Sequence, residues 1–220
     1  MIRHHPSDEL LLQAAAGELP AGAAVVVAAH AERCASCQST WRAFEAIGGA
    51  VLEELPPTAL AGDALAHTFA RLDAPAPSAP SDEIPPADRM HASLPAGLTW
   101  PRGLHAAHTT RWRHLGVGLR WCRVRLAGAP EANVFLLRVA PGKGLPVHGH
   151  RGGELTQVLY GAFDDGRTRY AAGDFEQANG SVHHRPIVAA GGECVCLIAV
   201  EGRMSFDGPL ARAVGSLLGV

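Results

Sequence analysis

Two groups of histidines, cysteines and carboxylates stand out in this 220-residue chain. The first reads Gly142, five residues, His148-Gly-His150, three residues, Glu154, six residues, Gly161. On a β-strand alternate side chains share a face, so His148, His150 and Glu154 have the same parity. A turn at Arg151-Gly152-Gly153 is expected to bring the carboxylate back to the two imidazoles. Two histidines and a carboxylate converging in this way form a divalent-metal site. The second group is His30-x-x-x-Cys34-x-x-Cys37. On a helix or helix–turn, residues three and four apart are neighbours, so all three reach one tetrahedral ion. Zinc prefers thiolate and imidazole, and a structural site is closed by a fourth protein ligand. His4 and His5 are both available for that place. A C-x-x-C pair alone also reads as a redox pair or as two buried thiols; the histidines around it favour metal.

The first spacing closely resembles the first motif of the cupin superfamily. The second cupin motif is matched by Gly173 to His184, with Asn179 where the motif has proline and Ser181 where it has glycine. Counting along it selects His184, not its neighbour His183, as the fourth ligand. Short alternating runs such as Val134–Val139, Leu155–Tyr160 and Cys194–Val200 are punctuated by Gly and Pro, as in a small β-barrel with an internal cavity.

The elements that must carry the other group are helical. Ser7 is a fitting N-cap for a helix from Asp8 to Ala16, with acidic residues in its first turn. Pro20 suits the start of a second helix that runs to His30. Trp41, Phe44, Ile47, Val51, Leu52 and Leu55 recur at helical spacing in a third, which ends at Pro56-Pro57. Thr58 to Leu72 is predicted to form a fourth, with Leu60, Leu65, Phe69 and Leu72 as its apolar positions. Helices this short need tertiary packing, and a metal staple would supply part of it. Pro75 to Pro101 holds seven prolines and no periodic apolar pattern, which is linker composition. The expected fold is therefore α+β and multidomain. A zinc-stapled four-helix domain spans residues 1–73, a Pro-rich linker 74–97, and an all-β cupin barrel 98–220. Pro209 to Val220 is expected to add a short terminal helix.

Composition narrows the function. A net charge of −2 gives no basic stripe with which to read DNA. The longest apolar stretch, Ala21 to Ala29, falls short of the roughly 20 residues that span a bilayer. The polar start Met1-Ile-Arg-His-His-Pro does not read as a signal peptide. Five cysteines, two of them as C-x-x-C and two as C-x-C, suit a reducing compartment, so a cytoplasmic location is expected. Cys194 and Cys196 share a strand face; they read either as small core residues or as a redox pair beside the metal. Cys122 reads as a buried strand residue.

H-x-x-x-C-x-x-C among four short N-terminal helices, a Pro-rich linker and then a cupin barrel together resemble the ChrR family of anti-sigma factors. The resemblance extends over essentially the whole chain, from Ile2-Arg-His4-His5-x-Ser7-Asp8 through His148–Thr156 to Cys194-x-Cys196. It implies two zinc ions per chain. One would be held by His5, His30, Cys34 and Cys37, the other by His148, His150, Glu154 and His184, and the cupin site would accept another divalent metal. It also implies a 1:1 partner bound through the helical domain, a sigma factor of the extracytoplasmic-function group. Release of that partner would follow an oxidative signal, singlet oxygen or an organic hydroperoxide, sensed through the cupin. No direct DNA or membrane partner is expected. The alternative is a metal-dependent cupin dioxygenase-like enzyme with a fused zinc-binding helical domain, since three histidines and a glutamate also support oxygen chemistry on iron or manganese.

Overall fold

The computed structural model describes residues 1–74, 93–178 and 183–206; the side chains of His150, Arg151, His183 and 203–206 are not among what it describes. Most of the expected linker and the expected terminal helix at Pro209–Val220 lie outside those residues.

Four helices come first: α1 (Asp8–Ala15), α2 (Ala21–Ala31), α3 (Ala35–Glu54) and α4 (Ala64–Asp73). Ser7 caps α1, its hydroxyl accepting from the Leu10 amide at 3.3 Å. α2 carries three consecutive valines, a run that intrinsic propensity disfavours in a helix. Packing decides the matter, because Val26 and Val27 are fully buried. α3 keeps the expected end, and its Trp41 and Phe44 pack against the core. The fourth helix starts later than predicted: Thr58 to Asp63 is irregular, and α4 begins at Ala64.

Eleven strands follow in chain order: β1 (His108–Thr109), β2 (Arg113–Gly116), β3 (Leu119–Leu126), β4 (Ala129–Val139), β5 (His148–Tyr160), β6 (Ala162–Asp164), β7 (Arg169–Ala171), β8 (Phe175–Ala178), β9 (His183–His184), β10 (Ile187–Val188) and β11 (Cys194–Phe206). The large sheet has the order β1-β3-β4-β11-β5-β8, with β2 on β3 and β9 on β5; a small sheet has the order β10-β6-β7. The described residues thus form an N-terminal four-helix domain and a C-terminal β-sheet domain.

The large sheet has two apolar faces, and each serves a different core. Inward residues such as Phe135, Leu137, Val158, Cys196 and Ile198 meet Phe163 and Val188 of the small sheet and fill the barrel. Outward residues such as Val124, Leu136, Leu155, Leu159 and Leu197 meet Leu11, Val26 and Val27 of the helices. The helical domain is therefore docked on the back of the barrel through a continuous apolar core. Gly22 is what lets α2 approach: a Cβ there would stand 3.1 Å from Val134 Cγ2 and 3.5 Å from Ala199 Cβ. A polar clasp lies beside it, where the Glu32 carboxylate accepts from the amides of Arg102 (2.9 Å) and Gly103 (3.1 Å).

Candidate metal centres

At the helical centre each side chain is brought in by a different local device. His30 lies in the last turn of α2, Cys34 is the residue that precedes α3, and Cys37 sits in its first turn. The break between the helices folds the H-x-x-x-C-x-x-C run around one point. His5 arrives from the N-terminal segment, and its Nδ1 lies 3.4 Å from Cys34 Sγ and 3.3 Å from Cys37 Sγ. One donor atom from each of the four residues lies within 4.8 Å of all the others. Nitrogen and sulfur atoms on one tetrahedral zinc stand about 3.5 Å apart, from the usual Zn–N and Zn–S lengths. The set therefore needs only small adjustment to close on an ion. His4, the other histidine of the opening pair, turns away and packs on Tyr170, with ring centroids 4.7 Å apart.

The chemistry of the donors agrees. His30 is fully buried, and its Nε2 has no hydrogen-bond partner among the described residues. Burial pushes its pKa down to about 4 against hydrogen bonds that raise it, so the imidazole is neutral and ready to ligate. Burial, followed by the hydrogen bond with Cys34, pushes the Cys37 thiol up to about 12. An isolated thiol pair would stay protonated there; a cation is what would make the thiolates favourable.

The cupin centre differs from its expected form in one respect. Residues Arg151-Gly152-Gly153 make no turn: β5 is one continuous thirteen-residue strand, paired with β11 along its length. Gly152 permits this, because a Cβ at that position would fall 2.0 Å from the Glu201 carbonyl oxygen of the neighbouring strand. Strand parity alone places Glu154 on the face of His148. His148 pairs in register with His184 of β9, and their Nε2 atoms stand 3.1 Å apart. Two imidazole nitrogens on one ion are about 3.0–3.4 Å apart, given metal–nitrogen lengths near 2.1 Å. His148, Glu154 and His184 have donor atoms within 4.8 Å of one another, and all three are buried. His150 lies two residues further along β5, but its side chain is not among what is described, and Asn179 and Ser181 lie outside the described residues.

Three supporting contacts were missed from the sequence. Glu176 of β8 lies 3.2 Å from His184 Nδ1, leaving Nε2 to face His148. Burial alone would lower the His184 pKa; the hydrogen bond and charge of Glu176, helped by Glu154 and Asp165, overcome it and hold the pKa above the ordinary imidazole value. Thr156 donates to Glu154 Oε1 at 3.0 Å, and the His148 Nδ1 lies 3.0 Å from the Pro146 carbonyl. Contacts of this kind orient metal ligands and fix their tautomers. The signal for Glu176 was its parity with Ala178 and His184 across a motif with two departures, too weak to isolate it. The Asp165, Glu176 and His184 grouping is not a separate centre, because Asp165 is saturated by the amides and guanidinium of its own loop.

His148, Glu154, Thr156 and Glu176 help to line a small apolar cavity of about 40 Å³ between the sheets. Cys194 and Cys196 form part of its wall, with their sulfurs 3.7 Å apart. Their mutual hydrogen bond and burial raise the Cys196 thiol well above its ordinary value. Cys122 faces the other core and is pushed up to about 12 by burial.

Comparison with known proteins decides the family. Residues 102–203 match the ChrR Cupin-like domain. The chain is 39% identical over 213 residues to the anti-sigma-E factor ChrR of Cereibacter sphaeroides, covering 97% of this chain and 96% of that protein. The chain belongs to the ChrR family. Its structure is similar to ChrR in the crystal structure of Rhodobacter sphaeroides SigE in complex with the anti-sigma ChrR, with a TM-score of 0.72 at 39% identity, covering 91% of this chain and 100% of that one.

A last feature concerns the surface of this ChrR homologue. Beyond Phe44 the apolar positions of α3 and its C-cap are not buried: Ile47, Val51, Leu52 and the capping Leu55 are all more than half exposed. No residue of α4 is buried, and Leu65, Phe69 and Leu72 face outward. These side chains keep the helical periodicity read from the sequence, yet nothing in the chain's described residues covers them. No helix among the described residues is long and apolar enough to cross a membrane.

Proposed function

We propose that this chain is an anti-sigma factor that sequesters a sigma factor of the extracytoplasmic-function group and releases it when the cupin domain senses an oxidative signal. The observation that carries the reading is the 39% identity across both domains with a protein whose family member is crystallised with SigE. The bare apolar face of α3 and α4 supports it, because an amphipathic helix pair of this kind suits helix-in-groove recognition. The helical domain (1–73) would bind the partner 1:1, and the cupin domain (98–220), joined through 74–97, would supply the input, in the cytoplasm.

In this reading His5, His30, Cys34 and Cys37 hold one zinc, and His148, His150, Glu154 and His184 hold a second, or another divalent metal. A zinc enclosed by four protein ligands supplies folding free energy and leaves no open position for turnover. Glu176 and Thr156 hold the cupin ligands in place, and the apolar wall keeps bulk water out. Cys194 and Cys196 stand where oxidation or ligand exchange would reach the metal's surroundings directly. The singlet-oxygen or hydroperoxide response would then begin in this cavity.

The test is co-expression with the neighbouring sigma-factor gene, followed by purification and metal counting. A 1:1 complex with two zincs per chain is the expected result. No complex, together with a single redox metal and oxygen uptake on a candidate substrate, would instead establish the dioxygenase reading. A Cys194→Ala, Cys196→Ala chain that still releases its partner normally under oxidant would remove those two residues from the mechanism.

A further inference from the structure

The two candidate centres share a wall. β5 and β8 run antiparallel, with Thr156 opposite Glu176 and Gln157 opposite Phe175. Their inward face carries Glu154 and Glu176, which serve the cupin centre. Their outward face serves the helical centre. Gln157 is fully buried, and its Nε2 donates to the Val158 carbonyl at 3.1 Å, so its Oε1 is the atom presented to His30 Nδ1, 3.0 Å away. His30 Nδ1 must then carry the proton, which leaves the Nε2 lone pair for a metal. The Phe175 ring meets the His30 ring edge-on, centroids 5.6 Å apart. One residue earlier, Asp174 Oδ1 accepts from the amides of Arg3 (2.6 Å) and His4 (3.2 Å), and the Phe175 amide donates to the His4 carbonyl at 3.1 Å. These bonds tether the segment that delivers His5.

A buried glutamine would be costly to keep at a helix–sheet contact without such a partner. Successive residues at the entry to β8 divide their work: Asp174, just before the strand, and Phe175 hold the helical centre, and Glu176 holds a cupin ligand. We propose that the β5–β8 pair couples the two metal centres, so that occupancy of the cupin site strengthens metal retention by His5, His30, Cys34 and Cys37 through Gln157 and Asp174. This inference rests on the metal reading of both sites. By linkage the coupling must be reciprocal, since each ion then stabilises the strand arrangement that the other requires.

The experiment uses the full-length chain loaded with cobalt, whose thiolate charge-transfer band marks the Cys34–Cys37 centre. Loss of that band to a chelator is followed in four proteins: wild type, Gln157→Leu, His148→Ala with Glu154→Ala, and the combination of all three substitutions. Removing the cupin ligands should speed cobalt loss from the helical centre about tenfold in the presence of Gln157, the scale of typical coupling. In the Gln157→Leu background the same change should have a clearly smaller effect, because only the Asp174 tether then remains. A helical centre that loses cobalt at the wild-type rate whatever the state of the cupin site overturns the coupling. So does an acceleration of equal size with and without Gln157. Wild-type protein carrying one and then two equivalents of cobalt gives the same comparison with no substitution, should a variant fail to fold. Failure to bind metal at either site overturns the metal reading itself, whereas two ions lost independently overturn only the coupling.

Discussion

Substituting Glu176 tests how the cupin centre is built. Glu176 Oε1 lies 3.2 Å from His184 Nδ1, and both side chains are no more than 4% exposed, so water cannot take over the contact. Glutamine keeps an acceptor of the same reach and loses the charge; leucine loses both. Outer partners of metal-bound histidines are worth about 10- to 100-fold in affinity. Glu176→Gln is therefore expected to weaken the cupin centre about tenfold, and Glu176→Leu about a hundredfold, or roughly 1.4 and 2.7 kcal/mol. The assay is competition with a metal indicator in mildly alkaline buffer, where a proton on His184 competes least with the metal. Cobalt bands without thiolate character report this centre separately from the Cys34–Cys37 one. A Glu176→Leu protein with wild-type affinity within a factor of two refutes the orienting role. Equal losses for both variants would show that the charge of Glu176 matters and the acceptor oxygen by itself does not.

Three further outcomes are expected. Phe69→Asp should weaken sigma-factor binding by about 2 kcal/mol or more, some thirtyfold, as for a central apolar anchor; α4 has no buried residue, so the denaturation midpoint of the free chain should not move, and unchanged affinity by calorimetry would count against the α4 face. Gly22→Leu should cost about 1–3 kcal/mol in denaturant titrations by prising α2 from the sheet, because a Cβ already meets Val134 Cγ2 at 3.1 Å; equal stability would mean that α2 does not sit where described. For Asp174, burial works to raise the pKa, but the amides of Arg3, Ala171 and His4 hold it below the ordinary carboxylate value. Its folded pKa lies below its unfolded one, so the tether is fully present above about pH 3.9 and is lost only as pH falls through the lower, folded value. Hydrogen exchange at the Arg3 and His4 amides should accordingly show no contribution from Asp174 titration between neutrality and about pH 5, and a step in protection there that Asp174→Asn abolishes would contradict this.

Much of the fold was legible because it rests on local rules. Ser7, Pro20 and the Pro56-Pro57 pair marked helix ends by capping and by proline sterics. The parity of His148 and Glu154 held because strand alternation is independent of what surrounds it. The predicted turn at Arg151-Gly152-Gly153 failed for an instructive reason: consecutive glycines suggest a bend, yet here one of them serves close strand-to-strand approach at Glu201. Periodicity likewise placed Leu52, Leu55, Phe69 and Leu72 on one face of helices but could not say whether that face meets this chain or another. Gln157 was invisible as a functional residue, because a glutamine in an apolar strand acquires its role only from the helix packed across it. Of the two histidines at the N-terminus, spacing alone left both open and the resemblance implied His5; the tether at Asp174 lies beside the segment in which His5 meets the sulfurs and His4 meets Tyr170.

The two domains divide mechanically at a different place from where the chain divides in sequence. α1, α2 and the first turns of α3 share one apolar core with the outer face of the barrel. From Ile47 onward, α3 and α4 stand clear of it with their apolar positions exposed. Cys34 and Cys37 lie at the junction, just before and within the first turn of α3. At 1.5 Å per residue the twenty residues of α3 extend about 30 Å, so a tilt of about 10° at its base carries the far end about 5 Å. Interfaces of packed side chains tolerate far less than that before contacts are lost. In the proposed reading, an input at the barrel would not have to unfold the helical domain or expel a metal from it to alter what the bare face can hold. In that reading, a shift of the contacts of Gln157 with His30 and of Asp174 with the amides of Arg3 and His4, which lie near the base of α3, would suffice.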